Sequence, residues 1–499
     1  MSISREPRWL LAGLTCVSVL WFALLGNRSL YDPDEGRYAE IPREMLETGD
    51  YVIPHLDGLA YLEKPPLQYW LTALGFRAFG ASDWSARLVP GIAGYLSLAA
   101  IYYVGRRLWG VGAGLRAALL TGSSTLFVLL AHQLTLDMLL CFFLVVSLAG
   151  FLAAQLQREQ PARCRNRMLV CWAAMALAVL TKGLIGVVIP AASLLLYLLW
   201  QRDWRALRSL HIGWGLPLLV AIAAPWFVLA ARANPDFLQF FFVREHVLRF
   251  FTPIEDRSEA WWFFFPVLAL GILPWMPLAV RALADTCRSG EPYGRFDPGR
   301  LLCSWSVFTF VFFSFSDSKL VTYVLPAIPP LALLCARPSA SEVSSIRQGA
   351  LLSIAASLGI LVYASGEWNS PQADMLARQM LCGLYLTAAL LAAAAIVTLA
   401  LLSRAEARWA LLALCAGSYL GTAGLLIAGS EVQGSFSGHA AAELLKSVAP
   451  AGAPVYAVQY YEQTLPFYLK RFLVLVDYRD EFALGDEDDA GDSEDQHKR

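Results

Sequence analysis

Across 499 residues the chain is 57% hydrophobic and only 16% charged, whereas soluble globular domains run at about 45–50% and about 25%. That balance excludes an ordinary soluble domain, and apolar stretches of about 20 residues, long enough to cross a hydrocarbon core as helices, recur along nearly the whole chain. The two-residue alternation of a membrane barrel is absent, and the net charge of −1 carries no information about partners; no nucleic-acid partner is expected of a chain of this membrane-spanning composition.

Residues 9–26 form an apolar run behind Arg5 and Arg8. Ser29-Leu30-Tyr31 offers no small-residue cleavage pattern, so this run is expected to be a retained first span and not a signal peptide. Further spans are expected at roughly 88–105, 112–131, 136–155, 169–181, 183–200, 212–231, 261–280, 301–315, 320–336, 348–365, 379–402 and 408–429, about thirteen in all. Short loops containing Arg106 and Arg107, Arg158 to Arg167, Arg202 to Arg208, Arg281 to Arg300, Arg337 to Arg347 and Arg404 to Arg408 alternate with loops poorer in cations. That bias orients the first set, and with it the N-terminus, toward the cytoplasm. An odd number of spans then sends residues 430–499 to the outer face. The nine cysteines show no CxxC spacing, so neither a disulfide framework nor a thiolate metal site is expected.

The first outer loop, residues 27–87, holds most of the chemistry. It opens with Tyr31-Asp32-Pro33-Asp34-Glu35-Gly36-Arg37-Tyr38 and continues to Tyr61-Leu62-Glu63-Lys64-Pro65-Pro66. Carboxylates and cations held at a bilayer surface point to chemistry on a charged lipid. Helical apolar spacing (Tyr38, Ile41, Met45, Leu46) predicts a helix over Glu35 to Glu47 closed by Gly49. A second helix is predicted over 65–79 behind Pro65-Pro66, lying in the interface with Tyr69, Trp70 and Phe76 toward lipid. Asp34 and Glu35 stand where capping or dipole interactions alone would place an acid. The crowding of Arg37, Tyr61, Glu63 and Lys64 into the same loop is something capping does not require.

Farther along, Asp137 interrupts an apolar run at the mouth of the fourth span, where an unpaired carboxylate costs on the order of 2–3 kcal/mol or more. Function is the default reading there, with a wetted helix entry as the alternative. Lys182, between the fifth and sixth spans, fits a weaker version of that argument, because lysines at span ends snorkel without function. In Phe241 to Phe250, helical spacing puts His246 and Arg249 on one face. Ser316 to Pro326 places Lys319 and Tyr323 at the mouth of the tenth span, where aromatic belts and snorkelling are also at home. The chain has no glycine-rich dinucleotide or Walker motif, so phosphate would have to be bound by side-chain cations. Residues 1–429 are expected to form the membrane domain and 430–480 a small α/β unit, with a helix at Ala440–Val448 and strands at Pro454–Tyr460 and Phe472–Val476. Residues 481–499, with acids from Asp486 to Asp495, are expected to be a solvated disordered tail.

The segment between Tyr31 and Trp70, PDEGRYAEIPREMLETGDYVIPHLDGLAYLEKPPLQYW, resembles the membrane-embedded GT-C glycosyltransferases that move 4-amino-4-deoxy-arabinose from undecaprenyl phosphate to lipid A. The resemblance recurs at Asp137, at Thr181-Lys182-Gly183, at REHVLRF, at Trp261 to Trp275 and at SKLVTYVLP, and so covers roughly residues 10 to 335. Spans eleven to thirteen match only in hydropathy, and the outer appendage looks shorter than that family's usual carboxyl-terminal domain. The fold implied is an all-α polytopic membrane protein of GT-C type, with amphipathic juxtamembrane helices in the first outer loop and a small α/β periplasmic domain, in a bacterial inner membrane. By resemblance Asp34 and Asp137 are the catalytic acids. Arg37, Tyr61, Lys64, Arg249, Tyr323 and Lys182 surround the lipid-linked phosphate, and Glu63 with His246 could hold a divalent cation such as zinc. The partners implied are an undecaprenyl-phosphate-linked sugar and lipid A. The chemistry is consistent, because breaking a sugar–phosphate bond builds negative charge on the leaving phosphate and positive charge on the ring. A relative of the same fold that glycosylates a protein or another glycan is the closer alternative, and a lipid transporter the more distant one. The latter would carry inverted repeats and broken spans at midplane.

Overall fold

The computed structural model describes residues 8–251, 258–290, 292–337, 342–366, 375, 376, 378–450 and 452–478, excepting the side chains of 8–14, 246 and 251. The expected tail over 481–499 lies outside the described residues.

Every expected span falls on helix, but the helices are unequal. Among the described residues seven are long and apolar enough to cross a membrane: Leu88–Trp109, Leu136–Gln155, Pro161–Lys182, Ile212–Ala233, Glu342–Ser365, Leu381–Ser403 and Ala407–Glu431. Two more expected spans are broken: Val111–Gly122 meets Thr125–Ala131 at 69°, and Phe264–Gly271 meets Leu273–Arg288 at 90°. Among the described residues the candidate spans by length and composition are therefore seven, or up to nine if each bent pair is one span, beside shorter apolar helices at Thr15–Gly26, Ile185–Gln201 and Val321–Cys335. Local chemistry explains both breaks. Ser123 and Ser124 each turn a hydroxyl back onto the Leu120 carbonyl, competing with the helical ladder, and Pro274 removes a backbone donor.

Leu136–Gln155 is the central helix, with 89% of its apolar window buried against 17% for the peripheral Ile212–Ala233. It packs on Leu88–Trp109 and Pro161–Lys182 and touches the short 3-10 turn Val321–Ala327. The last three long helices pack on one another through small residues. A Cβ on Gly417 would fall 1.9 Å from that of Ala394, so only glycine lets these backbones approach so closely.

The helix predicted over 35–47 runs Asp34–Thr48, and Gly49 closes it in the left-handed region at φ 76°, where glycine pays no Cβ penalty. Its surroundings differ from an amphipathic surface helix, because Glu35 through Met45 are all buried. Leu67–Phe79 covers one side and the short helix Leu465–Leu469 another. Gly36 lies against the backbone of Gln463, whose carbonyl carbon would be 2.4 Å from an added Cβ. Leu67–Phe79 is likewise a helix behind Pro66, but its apolar face is turned the other way from expectation. Tyr69 and Phe76, seven residues apart and thus on one face, are buried against Tyr38 and Phe467. Leu74 and Phe79 take the exposed side instead.

The carboxyl-terminal unit has helix His439–Val448, strand Tyr456–Val458, helix Leu465–Leu469 and strand Val474–Val476. The two strands pair in parallel, as a helical crossover requires.

Candidate functional site

Glu35 anchors the loop. Its carboxylate accepts from Arg28 Nη1 at 2.5 Å, from Arg87 Nε at 2.7 Å and Nη2 at 2.9 Å, and from the backbone N–H groups of Tyr31 and Leu134, each at 2.9 Å. Burial alone would raise its pKa, but the guanidiniums of Arg28 and Arg87 outweigh it and hold the carboxyl well below the usual range. The neighbouring Asp34 is spared that duty. It occupies the first turn, the N-cap position belongs to Pro33, and no side chain caps the helix.

From Asp34 a continuous chain of polar contacts runs through the expected residues. Asp34 Oδ1 lies 3.6 Å from Arg37 Nη2, and its side chain is 43% exposed against 5% for Arg37. Arg37 Nη1 donates to the Tyr61 hydroxyl at 2.9 Å, which donates to Glu63 Oε2 at 2.9 Å. Glu63 stands 3.6 Å from Lys64 Nζ. Lys64 Nζ then donates to Glu245 Oε2 at 2.7 Å, and Arg249 Nη1 donates to the same oxygen at 2.8 Å. Although burial pushes it upward, Lys64 and Arg249 together bring the Glu245 carboxyl down to about 2.

A second group forms where the central helix begins. Lys182 Nζ donates to Asp137 Oδ1 at 2.5 Å and sits 4.8 Å from the centroid of the Tyr323 ring. Lys182 is therefore a paired cation and no snorkelling lysine. The two groups are linked through the end of the Pro298–Ser314 helix and the segment after it: the backbone N–H of Asp317 donates to the Phe250 carbonyl at 3.1 Å, and Phe313, in the last turn of the helix, packs on Tyr323 at 5.0 Å.

Asp34, Arg37, Tyr61, Glu63, Lys64 and Arg249 thus belong to one constellation, and Asp137, Lys182 and Tyr323 to the other. The side chain of His246 lies outside the described residues. Its backbone is in a π-helix, Phe240–Leu248. π-helical turns are rare and favour functional sites. Glu245 was missed by the sequence reading, although its i, i+4 spacing to Arg249 was a usable signal. As for a divalent cation, Glu63 is already engaged by a phenol and faces an ammonium. Among the described residues no group of three or more His, Cys, Asp or Glu side chains comes together.

A polytopic helical body gathering carboxylates and cations around its first long loop has the make-up of a membrane-embedded glycosyltransferase. The family profile described as dolichyl-phosphate-mannose-protein mannosyltransferase matches residues 8–241, and that of the aminoarabinose transferase C-terminal domain matches 441–494. The fold superposes on the crystal structure of ArnT from Cupriavidus metallidurans bound to undecaprenyl phosphate with TM-score 0.89 and 33% identity, covering 97% of this chain and 89% of that one. The chain is 32% identical over 410 residues to the undecaprenyl phosphate-alpha-4-amino-4-deoxy-L-arabinose arabinosyl transferase of Erwinia tasmaniensis, covering 78% of this chain and 71% of the relative. With arabinosyl transferase 1 of Sodalis glossinidius the identity is 36% over 372 residues, 69% of this chain and 64% of the relative. The chain belongs to the undecaprenyl phosphate-aminoarabinose arabinosyl transferase family. It aligns with somewhat less than two thirds of the length of the Sodalis and Pseudomonas relatives.

Proposed function

We propose that the protein transfers 4-amino-4-deoxy-L-arabinose from undecaprenyl phosphate to lipid A at the outer face of the bacterial inner membrane. The observation that carries this reading is the continuous chain of contacts from Asp34 to Arg249. It puts an accessible carboxylate and several fixed cations within one constellation, and cleavage of a sugar–phosphate bond needs both. Preset charges act where charge develops and need no reorganisation at the moment of reaction. Lys64 and Arg249 meet the charge growing on the leaving phosphate. Asp34 faces the sugar, stabilises positive charge on the ring and orients the acceptor, taking its proton if that acceptor is a hydroxyl. A lipid A phosphate is already ionised and needs no base. Displacement is direct, with inversion at the anomeric carbon. Asp137, paired to Lys182 under Tyr323, is the second acid. Lipid A extracted from cells with and without the protein and weighed by mass spectrometry tests the reading, which requires one added aminopentose and is overturned by identical spectra.

Lys64→Ala should weaken donor binding and slow transfer together, because one charge holds the ground-state phosphate and also meets the growing charge on the leaving group. Lys64→Arg is the sharper variant, since it keeps the charge but replaces a compact ammonium with a planar fork. Partial rescue by arginine marks a charge role, and donor kinetics unchanged in the alanine variant remove Lys64 from the phosphate site.

The orientation belongs to the same proposal: about thirteen helical crossings, counting short and broken spans, with the N-terminus cytoplasmic and the unit over 430–480 periplasmic. Gln160, at a bend, and Gly434, in the short 3-10 helix Gln433–Ser435, are both exposed. A membrane-impermeant thiol reagent should label a cysteine introduced at Gly434 in intact cells stripped of their outer membrane and miss one at Gln160. The reverse pattern overturns the topology.

A further inference from the structure

Lys319 is a buried ammonium to which the catalytic reading gives no task. It is 7% exposed, and its Nζ donates to the Ser316 carbonyl at 2.6 Å. Among the described residues it forms no ion pair, not even with Asp317 two positions away. The residues beside it are also unsatisfied: the Ser318 and Thr322 hydroxyls are buried, and neither has a hydrogen-bond partner among the described residues. Burying an ammonium without a counter-charge and two hydroxyls without partners is costly on each count. In a native site such costs point to a ligand that supplies acceptors and negative charge.

The position matches that demand. Ser318 bridges to Ser258, Asp317 is bonded to the backbone next to Arg249, and Tyr323, one residue beyond Thr322, carries Lys182 on its ring. The segment 317–323 therefore lies between the two constellations. Each cation of those constellations already faces a carboxylate: Arg37 faces Asp34, Lys64 faces Glu63 and Glu245, Arg249 faces Glu245, and Lys182 faces Asp137. An anionic ester entering between them is best met by a cation that no carboxylate already holds.

We propose that Lys319, Ser318 and Thr322 form a binding pocket for a lipid-borne phosphate ester, with the ammonium as point charge and the two hydroxyls as donors to its oxygens. The pocket rests on the proposed transfer reaction, whose donor and acceptor both carry phosphate.

Thr322→Val and Ser318→Ala remove hydroxyls that lack partners, so the full-length protein in detergent should keep or gain thermal stability while losing affinity about tenfold. Lys319→Met keeps the length and apolar stem and should weaken binding about tenfold to a hundredfold, with partial retention in Lys319→Arg. Titrations are run separately with undecaprenyl phosphate and with lipid A. Loss in the first arm assigns the pocket to the donor, and loss in the second assigns it to the acceptor. Wild-type affinity in both arms for the folded Thr322→Val and Lys319→Met proteins overturns the pocket, and if only Thr322→Val folds, its unchanged affinity suffices. If the wild-type protein itself binds neither lipid, it is the transfer reading that fails. A merely structural role for these hydroxyls would move stability down and leave affinity unchanged.

Discussion

Asp34→Asn is expected to leave expression and thermal stability within about 0.5 kcal/mol while cutting transfer by at least about a hundredfold. The two effects separate because of where the side chain sits. Its ion pair to Arg37 is long, at 3.6 Å, with the carboxylate 43% exposed, and exposed pairs of this kind contribute about 0–1 kcal/mol. Asparagine preserves the volume and the carbonyl acceptor but removes the charge that would face the sugar. Single-turnover transfer in proteoliposomes, measured beside thermal unfolding of the same preparation, checks both halves. Near-normal transfer would return Asp34 to a surface dipole partner of its helix. Asp137→Asn should be less clean, because Asp137 is buried with Lys182 at 2.5 Å and its loss leaves an unpaired ammonium, so stability should fall along with activity.

The sequence disclosed the site through local density of unlike residues. Five residues of the first constellation were visible because loop 27–87 crowds acids, cations and tyrosines where capping needs one acid, and Asp137 because it interrupts an apolar run. Helix ends were legible where chemistry fixes them, at Gly49 and behind Pro66. Long-range pairing was not legible. Lys64 meets Glu245 across 181 positions, and nothing local in either run announces the other. The π-helix over Phe240–Leu248 was not legible either, because its residues carry a spacing that an α-helix also fits.

An apolar face shows only that something covers it, and so Tyr69 and Phe76, expected to meet lipid, meet Tyr38 and Phe467. Averaging hydropathy over a span likewise hides a break of one or two residues, such as those at Ser123 and Pro274. Glu35 was seen as a helix-start acid, but its partner Arg87 stands 52 positions away at the start of another helix, so the most buried ion pair of the loop went unread.

That pair carries the largest expected effect on stability. Glu35→Gln should shorten the half-life of the folded protein in detergent severely, with a loss of about 3–5 kcal/mol, the usual consequence of removing one partner from a buried ion pair. The amide can replace some acceptor capacity but no charge, and it leaves the guanidiniums of Arg28 and Arg87, both buried, without a counter-ion. The damage should spread, because Arg87 also donates to the carbonyls of Leu25, Arg28 and Ser29 and Glu35 holds the Leu134 N–H just before the central helix. Inactivation half-lives at fixed temperature are the right measurement where unfolding is irreversible. The pH dependence is a second check. The folded pKa of Glu35 lies well below the ordinary value of about 4.3. The anchor's stabilisation is therefore complete above the ordinary value and is lost as pH falls through the folded one. Wild-type protein should lose stability on acidification through this group, and Glu35→Gln should lack that component. Adjacent residues would then give opposite results, Asp34→Asn inactive but stable and Glu35→Gln unstable. A glutamine variant as long-lived as wild type would show that the buried network is dispensable to the fold.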